Sequence, residues 1–172
     1  LNVPAYKVAS FEIVDLPLIE YIATKKKPIL LSTGMANIKE INEAVKVIRK
    51  KSNSDILLFH CISSYPAPTK ESNLKNIEYL KKTFGVEVGL SDHTISNLAS
   101  TIAIGLGAVA IEKHFKLDDQ YCGPDSSFSL NISQLKKLVI DCEEAWFAKG
   151  QDGFKRSNIE KRDQYIEVFF FS

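Results

Sequence analysis

Two of the three histidines in this 172-residue chain follow short apolar segments, in the sequences VEVGLSDHT and GAVAIEKHF. His93 comes two residues after Ser91, and His114 comes two residues after Glu112. Side chains alternate along a β-strand, so each histidine shares a face with the residue two positions before it. If these are neighbouring strands with that face inward, the imidazoles converge, and two neutral imidazoles suit a divalent cation. The residues alone leave a second interpretation open, in which each histidine is a separate hydrogen-bonding group at a strand end.

A second group of polar residues is typical of an anion site. Lys7 lies within the apolar segment YKVAS, and a buried lysine is costly unless an anion meets it. The segment LLSTG offers the Ser32 hydroxyl and the backbone of Gly34, which suit a phosphate or a carboxylate. Two proline-containing loops, SSYPAP and CGPDSSFS, add the side chains of Ser63, Tyr65 and Asp125. These residues predict a site for a small phosphorylated anion, whereas a Lys7 side chain extended to solvent and two plain surface turns are the alternative.

The elements that must position these residues alternate along the chain. Apolar, strand-like segments lie at 5–10, 27–34, 55–61, 86–92 and 107–115, and helical patterns lie at 15–26, 37–51, 69–84, 96–108 and 132–150. Strands separated by helices predict βα units and a parallel sheet. Polar residues follow every strand, which favours an α/β fold that is part of a (β/α)₈ TIM barrel, because barrels collect their chemistry at that rim. An open doubly wound sheet, which binds ligands at one switch point, is the alternative.

The domain prediction follows from this pattern. Residues 1–150 form about five C-terminal βα units of a barrel, and residues 151–172 form an irregular tail that ends in an apolar run, Phe169 to Phe171. The fourth helical segment is apolar nearly all round, so we expect it to be buried on several sides. The fifth predicts one buried stripe, formed by Leu135, Leu138, Val139, Cys142 and Trp146.

Composition excludes several classes of function. The net charge of +1 indicates no attraction to nucleic acid or to an anionic membrane. No apolar run reaches the length of a membrane span, and the first residues lack the features of a signal peptide. Three scattered cysteines are too few for a disulfide framework, so we expect a cytoplasmic protein with reduced thiols. Neither GxGxxG nor GxxxxGK[ST] is present, so no nucleotide cofactor is indicated.

Taken in order, KVASFEI, LLSTGM, HCISSYPAP, GLSDHT, IEKHF and GPD resemble the barrel of the sialic acid synthase family, from about residue 5 to about residue 150. The resemblance implies condensation of phosphoenolpyruvate with an N-acetylated amino-sugar aldehyde, with release of phosphate. Within the family, ASFEIVDLPLIEY and GPDSSFSL are more similar to pseudaminic acid synthase than to N-acetylneuraminate synthase. Synthesis of N-acetylneuraminic or legionaminic acid remains the alternative.

The resemblance also implies roles for individual residues. His93 and His114 would bind a divalent metal, with Mn²⁺ preferred and Mg²⁺ or Co²⁺ as alternatives. Phosphoenolpyruvate would be held by Lys7, Ser10, Ser32, Ser63 and Ser91. The sugar would be contacted by Glu12, Tyr65 and Asp125, and the catalytic candidates are Glu12, Lys7 and Asp125. Full-length members are expected to form homodimers.

This sequence also departs from the family. Barrel units that precede these in the family, and its C-terminal domain, have no counterpart here, and the tail does not resemble the family. We therefore expect a truncated chain with little or no catalysis of its own. Two further interpretations stay open: an inactive fragment that only binds a partner, and a metal-dependent aldolase or isomerase that uses Lys7 as a Schiff base.

Overall fold

The computed structural model describes residues 2–51, 55–120, 122–155 and 157–159. Five strands form one parallel sheet in chain order: β1 (Tyr6–Val8), β2 (Ile29–Ser32), β3 (Ile56–Cys61), β4 (Glu87–Asp92) and β5 (Ile111–Lys113). The helices between and after them are α1 (Leu16–Ala23), α2 (Ile38–Lys50), α3 (Asn76–Phe84), α4 (Leu98–Gly105) and α5 (Ile132–Lys149). Each predicted strand segment contains one of these strands. The predicted fold, five parallel βα units that make up part of a (β/α)₈ barrel, is confirmed.

The core lies between the sheet and its helices. Val8, Leu31, Leu58 and Val88 alternate with inward-facing residues along their strands and are fully buried against the helices. The helices bury a matching set on their inner faces, which includes Ile19, Ile48 and Ile77. Residues between these positions face the other side of the sheet, which would be the barrel interior. The strand period therefore separates an apolar packing face from a face that is free to carry polar groups.

Local sequence sets where several helices begin. Asn37 caps α2, because its side-chain oxygen accepts hydrogen bonds from the N–H groups of Lys39 and Glu40. The third helix was predicted from residue 69 but begins at Asn76, which follows a short 3₁₀ turn at Thr69–Glu71. The physical reason is Asn73, whose φ of 44° lies in the left-handed region and cannot continue an α-helix.

Two expectations about helix burial were wrong in part. On α5 the predicted stripe holds at Leu138, which is buried, and at Cys142, which is partly buried, whereas Val139 and Trp146 are exposed. On α4 the side chains of Leu98 and Ile102 are exposed, since the described residues cover this helix mainly through β4 and α5. Hydrophobic spacing showed that each helix has an apolar face, but the direction of that face depends on the neighbouring elements.

The chain after α5 is described only in part. Residues 151–155 and 157–159 have been placed, and the predicted apolar run Phe169 to Phe171 lies outside the described residues. Across the part of the chain that is described, no helix combines the length and the apolar character that crossing a bilayer requires.

Candidate functional site

The predicted site residues meet at the carboxyl ends of the strands. Ser91 of β4 lies opposite Glu112 of β5 in the strand register, and the two histidines follow two residues later on the same face. The ring centroids of His93 and His114 are 5.4 Å apart, and the ring planes are inclined at 73°. The expectation that the two imidazoles converge is therefore confirmed.

His93 is buried, and its hydrogen bonds define its tautomer. Nδ1 lies 2.8 Å from the carbonyl oxygen of Ile62, and a carbonyl only accepts, so Nδ1 carries the proton. Nε2 then has a free lone pair. Its neighbour Ser91 Oγ, at 3.3 Å, donates its single proton to Glu112 Oε1 at 2.7 Å. Burial lowers the pKa of His93, which keeps the ring neutral and able to act as a ligand.

His114 is oriented by a carboxylate. Its Nδ1 lies 3.3 Å from Asp125 Oδ2, which leaves Nε2 on the far side of the ring. Metal-binding histidines in proteins commonly have this arrangement, with the second ring nitrogen held by a carboxylate or a carbonyl. Here His93 has the carbonyl partner and His114 has the carboxylate.

The donor chemistry of the two histidines suits a divalent cation. Neutral imidazole nitrogens are common ligands of first-row divalent metals, and the two rings are neighbours, with centroids 5.4 Å apart. Over the residues with assigned positions, no three His, Cys, Asp or Glu side chains are grouped closely enough to hold an ion. Among the described residues, the two histidines are therefore the candidate ligands.

Aromatic side chains fix these rings. The Tyr65 ring lies 4.3 Å from His93, and the buried Phe128 ring lies 5.0 Å from His114 and 5.6 Å from Tyr65. Burial raises the pKa of Tyr65, so its phenol remains a proton donor at neutral pH. Sequence analysis missed Phe128, although it lies in the GPDSSFS motif, because an apolar ring in a loop carries no chemical signal of its own.

A cationic group lies beside the histidines. Lys7 Nζ donates to Ser32 Oγ at 2.8 Å and lies 3.3 Å from Glu112 Oε1, which also accepts the proton of Ser91. Glu112 thus joins β1 to β4 and β5 across the inner face. The sequence placed Glu112 near the histidines by strand alternation but gave it no partner. The structure brings Lys7, Ser32 and Ser91 together around it.

Gly34 forms the centre of a small polar cradle. Its N–H donates to Ser10 Oγ at 3.1 Å, and Ser10 Oγ lies 3.1 Å from Cys61 Sγ. A Cβ at Gly34 would overlap Ser63 Oγ and would lie 2.6 Å from Cys61 Sγ and 2.8 Å from Ser10 Oγ. The Ser63 hydroxyl oxygen is buried and has no hydrogen-bond partner among the described residues. The predicted donors Ser10 and Ser63 are therefore neighbours, and Cys61 is an unpredicted third member.

Glu12 is placed differently from the other predicted residues. Its carboxylate accepts a hydrogen bond from the N–H of Ala9 at 2.8 Å and so closes the 3₁₀ turn at Ser10–Glu12. The side chain is exposed, and this contact is local. Its predicted role toward the sugar stays a prediction.

Most of the chain matches known proteins in sequence and in fold. The sequence profile of the NeuB family matches residues 1–153. The chain belongs to the NeuB family. The predicted membership in the sialic acid synthases is confirmed, since this NeuB-family chain is 42% identical over 172 residues to pseudaminic acid synthase of Helicobacter pylori. That alignment covers 99% of this chain and 51% of the relative.

Two further proteins show the same relationship. N,N'-diacetyllegionaminic acid synthase of Campylobacter jejuni is 44% identical over 160 residues, which are 92% of this chain and 48% of the relative. The crystal structure of an N-acetylneuraminic acid synthetase from Leptospira borgpetersenii, in complex with citrate, superposes with a TM-score of 0.88 at 32% identity. The match covers 95% of this NeuB-family chain and 57% of that protein. The chain thus spans about half the length of the relatives that it matches.

Proposed function

We propose that this chain carries part of the active site of a nonulosonic acid synthase, which condenses phosphoenolpyruvate with an N-acetylated amino-sugar aldehyde and releases phosphate. One observation supports this most directly. Two histidines oriented as metal ligands share a strand-end face with the Lys7 ammonium and with the Ser32 and Ser91 hydroxyls. That combination suits an anionic substrate, held by Lys7 and the hydroxyls, beside a carbonyl substrate near the histidines, and the relatives are named for the sugar acids that they make.

The product class that we propose is pseudaminic acid. ASFEIVDLPLIEY and GPDSSFSL support this choice over N-acetylneuraminic acid. A relative named for legionaminic acid is 44% identical, close to the 42% of the pseudaminic acid synthase, so legionaminic acid is the second candidate. Assays with both precursor sugars would separate the two.

Phosphoenolpyruvate is proposed to bind between β1 and β4. Lys7 supplies the positive charge for its phosphate or carboxylate, and Ser32 and Ser91 supply short polar contacts from the adjacent strands. Ser10 and Ser63, around Gly34, extend these contacts along the rim. The contacts of Lys7 Nζ with Ser32 Oγ and Glu112 Oε1 support a polar, anion-binding role over a Schiff base.

The reaction forms one carbon–carbon bond at C3 and, at C2, replaces the carbon–oxygen bond to phosphate with one to an oxygen from water. C3 of phosphoenolpyruvate attacks the aldehyde carbon, whose oxygen takes up a proton, and water adds at C2. Phosphate then leaves with its bridging oxygen, and C2 becomes a ketone. Lys7 faces the charge on the phosphate and carboxylate, as fixed electrostatic groups do in most enzymes. A divalent cation held by His93 and His114, Mn²⁺ in our proposal, would supply Lewis acidity toward the aldehyde oxygen.

The remaining residues are proposed to position the sugar. Tyr65 presents a protonated phenol beside His93, and Asp125 both orients His114 and offers a carboxylate oxygen. Glu12, in the 3₁₀ turn that follows β1, is proposed to contact a sugar hydroxyl. Asp125 and Glu12 are the groups proposed to exchange protons in the reaction, and Lys7 is the catalytic residue proposed to stabilise negative charge.

Metal binding tests the proposal without requiring turnover. Mn²⁺ is titrated into the wild-type chain, His93→Ala and His114→Ala by calorimetry, with phosphoenolpyruvate added in a second series. We expect one site in the wild type and at least a tenfold loss of affinity in each variant, since a neutral imidazole is a direct ligand. His60→Gln is the matched control, because His60 is buried on the opposite face, where its Nε2 meets the carbonyl of Ser72. Equal Mn²⁺ affinity in all four proteins would refute the assignment.

A further inference from the structure

We infer that the buried ion pair between Asp92 and Lys113 positions the two histidines relative to each other, an inference that rests on the proposed function of His93 and His114 as metal ligands. Asp92 immediately precedes His93, and Lys113 immediately precedes His114. Lys113 Nζ lies 2.9 Å from Asp92 Oδ2, and the two side chains are 2% and 1% exposed. Asp92 and Lys113 are also direct partners in the register of β4 and β5.

The ion pair organises the turn after β4. Besides Asp92, the Lys113 ammonium donates to the carbonyl oxygens of Thr94 at 2.6 Å and Ser96 at 3.1 Å. Asp92 Oδ1 accepts the N–H of Thr94 at 2.8 Å, and Oδ2 accepts the hydroxyl of Ser100 at 2.6 Å. The backbone that follows His93 is thus bound to Lys113 and to the side chain of Asp92, the residue that precedes His93. A change at Lys113 therefore reaches the backbone from which the His93 ring projects.

Other contacts hold His93 to the loop after β3 and hold His114 to its own loop after β5. The carbonyl oxygen of His93 accepts the N–H of Ala67, and that of His114 accepts the N–H of Leu130. On the inner face, the hydrogen bond from Ser91 to Glu112 joins β4 to β5 two positions before both rings. The ion pair joins the same strands at their last paired residues, one position before both rings. It fixes the distance between the two ligands, and the loop contacts fix each ligand's own direction.

Stability alone does not account for a buried pair of charges at this place. Desolvation offsets much of the attraction between two buried ions, and well-packed apolar replacements are often as stable. Strand alternation also puts Asp92 and Lys113 on the helix-facing side, opposite the imidazoles. They act on the metal site through the backbone, so they are positioning residues without contact to a substrate or a metal.

The test compares the wild type with the double variant Asp92→Asn/Lys113→Met, which removes both charges together and leaves no unpaired buried ion. Histidine-selective NMR of the metal-free chain measures the proximity of the His93 and His114 rings, and calorimetry measures Mn²⁺ affinity. Urea unfolding measures stability. Ile48→Ala is the control, because it opens a cavity in α2, in the core and away from both strand ends.

We expect the double variant to lose the contact between the His93 and His114 rings and to bind Mn²⁺ about 10- to 100-fold more weakly, as outer-shell substitutions do. Ile48→Ala should lose stability but keep both the ring contact and the affinity. The inference would be overturned if the double variant keeps the ring contact. It would also be overturned if Ile48→Ala, at the same stability, loses as much ring contact and Mn²⁺ affinity as the double variant. If the wild type shows the ring contact but does not bind Mn²⁺, the proposed function fails, and loss of the contact in the double variant still supports the positioning role.

Discussion

Adding one methyl group at Gly34 tests whether the polar cradle is a closely packed structure. In Gly34→Ala the new Cβ would overlap Ser63 Oγ and lie within 2.8 Å of both Cys61 Sγ and Ser10 Oγ. All three are side-chain atoms, and Gly34 and Cys61 are buried, so at least two side chains must leave their positions. Gly34 is not among the described glycines with positive φ, so the cost is steric and does not come from backbone strain.

The size of the effect follows from the number of overlaps. Overpacking a well-packed site costs about 1–3 kcal/mol. For a chain of this length, each kcal/mol lowers the melting temperature by about 2–4 °C. We therefore expect Gly34→Ala to melt about 2–12 °C below the wild type. Because Ser10 and Ser63 are displaced, its affinity for phosphoenolpyruvate should also fall.

The assay is urea and thermal unfolding, followed by titration with phosphoenolpyruvate. Gly105→Ala is the matched control: no heavy atom lies within 4 Å of its added Cβ, and the residue lies at the end of α4. Since alanine is favoured over glycine in a helix, we expect that variant to gain about 0.5–1 kcal/mol. Both substitutions add one methyl group, but we expect Gly34→Ala to lower the free energy of unfolding and Gly105→Ala to raise it. A Gly34→Ala protein within about 0.5 kcal/mol of the wild type, with unchanged affinity, would refute the packed cradle.

Three further predictions concern single side chains. Burial lowers the pKa of His60, so below about pH 6.5 the unfolded chain gains a proton that the folded chain resists, and stability falls with acid by up to about 1.4 kcal/mol per pH unit. In urea unfolding from pH 8 to pH 5, the free energy of unfolding should fall less steeply for His60→Gln than for the wild type. Equal pH dependence in the two proteins would contradict this. Asn37→Ala should cost about 1 kcal/mol through loss of the α2 cap, measured as a lower urea midpoint. Lys7→Met should weaken phosphoenolpyruvate binding about 10- to 100-fold in calorimetry, and unchanged affinity would exclude Lys7 as the cationic contact.

The sequence by itself determined the alternation of strands and helices and the face of the sheet on which each reactive residue lies. Alternation along β4 and β5 placed Ser91 with His93 and Glu112 with His114, and the alternating strand and helix patterns required a parallel sheet. The order of the motifs determined the family. These features depend on local geometry and on the order of residues along one chain, so they can be read without coordinates.

The tertiary structure alone decided which residues lie opposite one another. The Lys7–Glu112 and Asp92–Lys113 pairs depend on the register between strands, and a register is not encoded in the period of any single strand. The contact of Phe128 with His114 and the placement of Cys61 beside Gly34 depend in the same way on loops that fold back over the strand ends. A helical pattern likewise gives α5 an apolar face, but packing against α4 turned that face to Leu138 and left Trp146 exposed. Strand pairing and side-chain packing are set by the free energy of the whole folded chain. For that reason only the tertiary structure shows which residues are in contact.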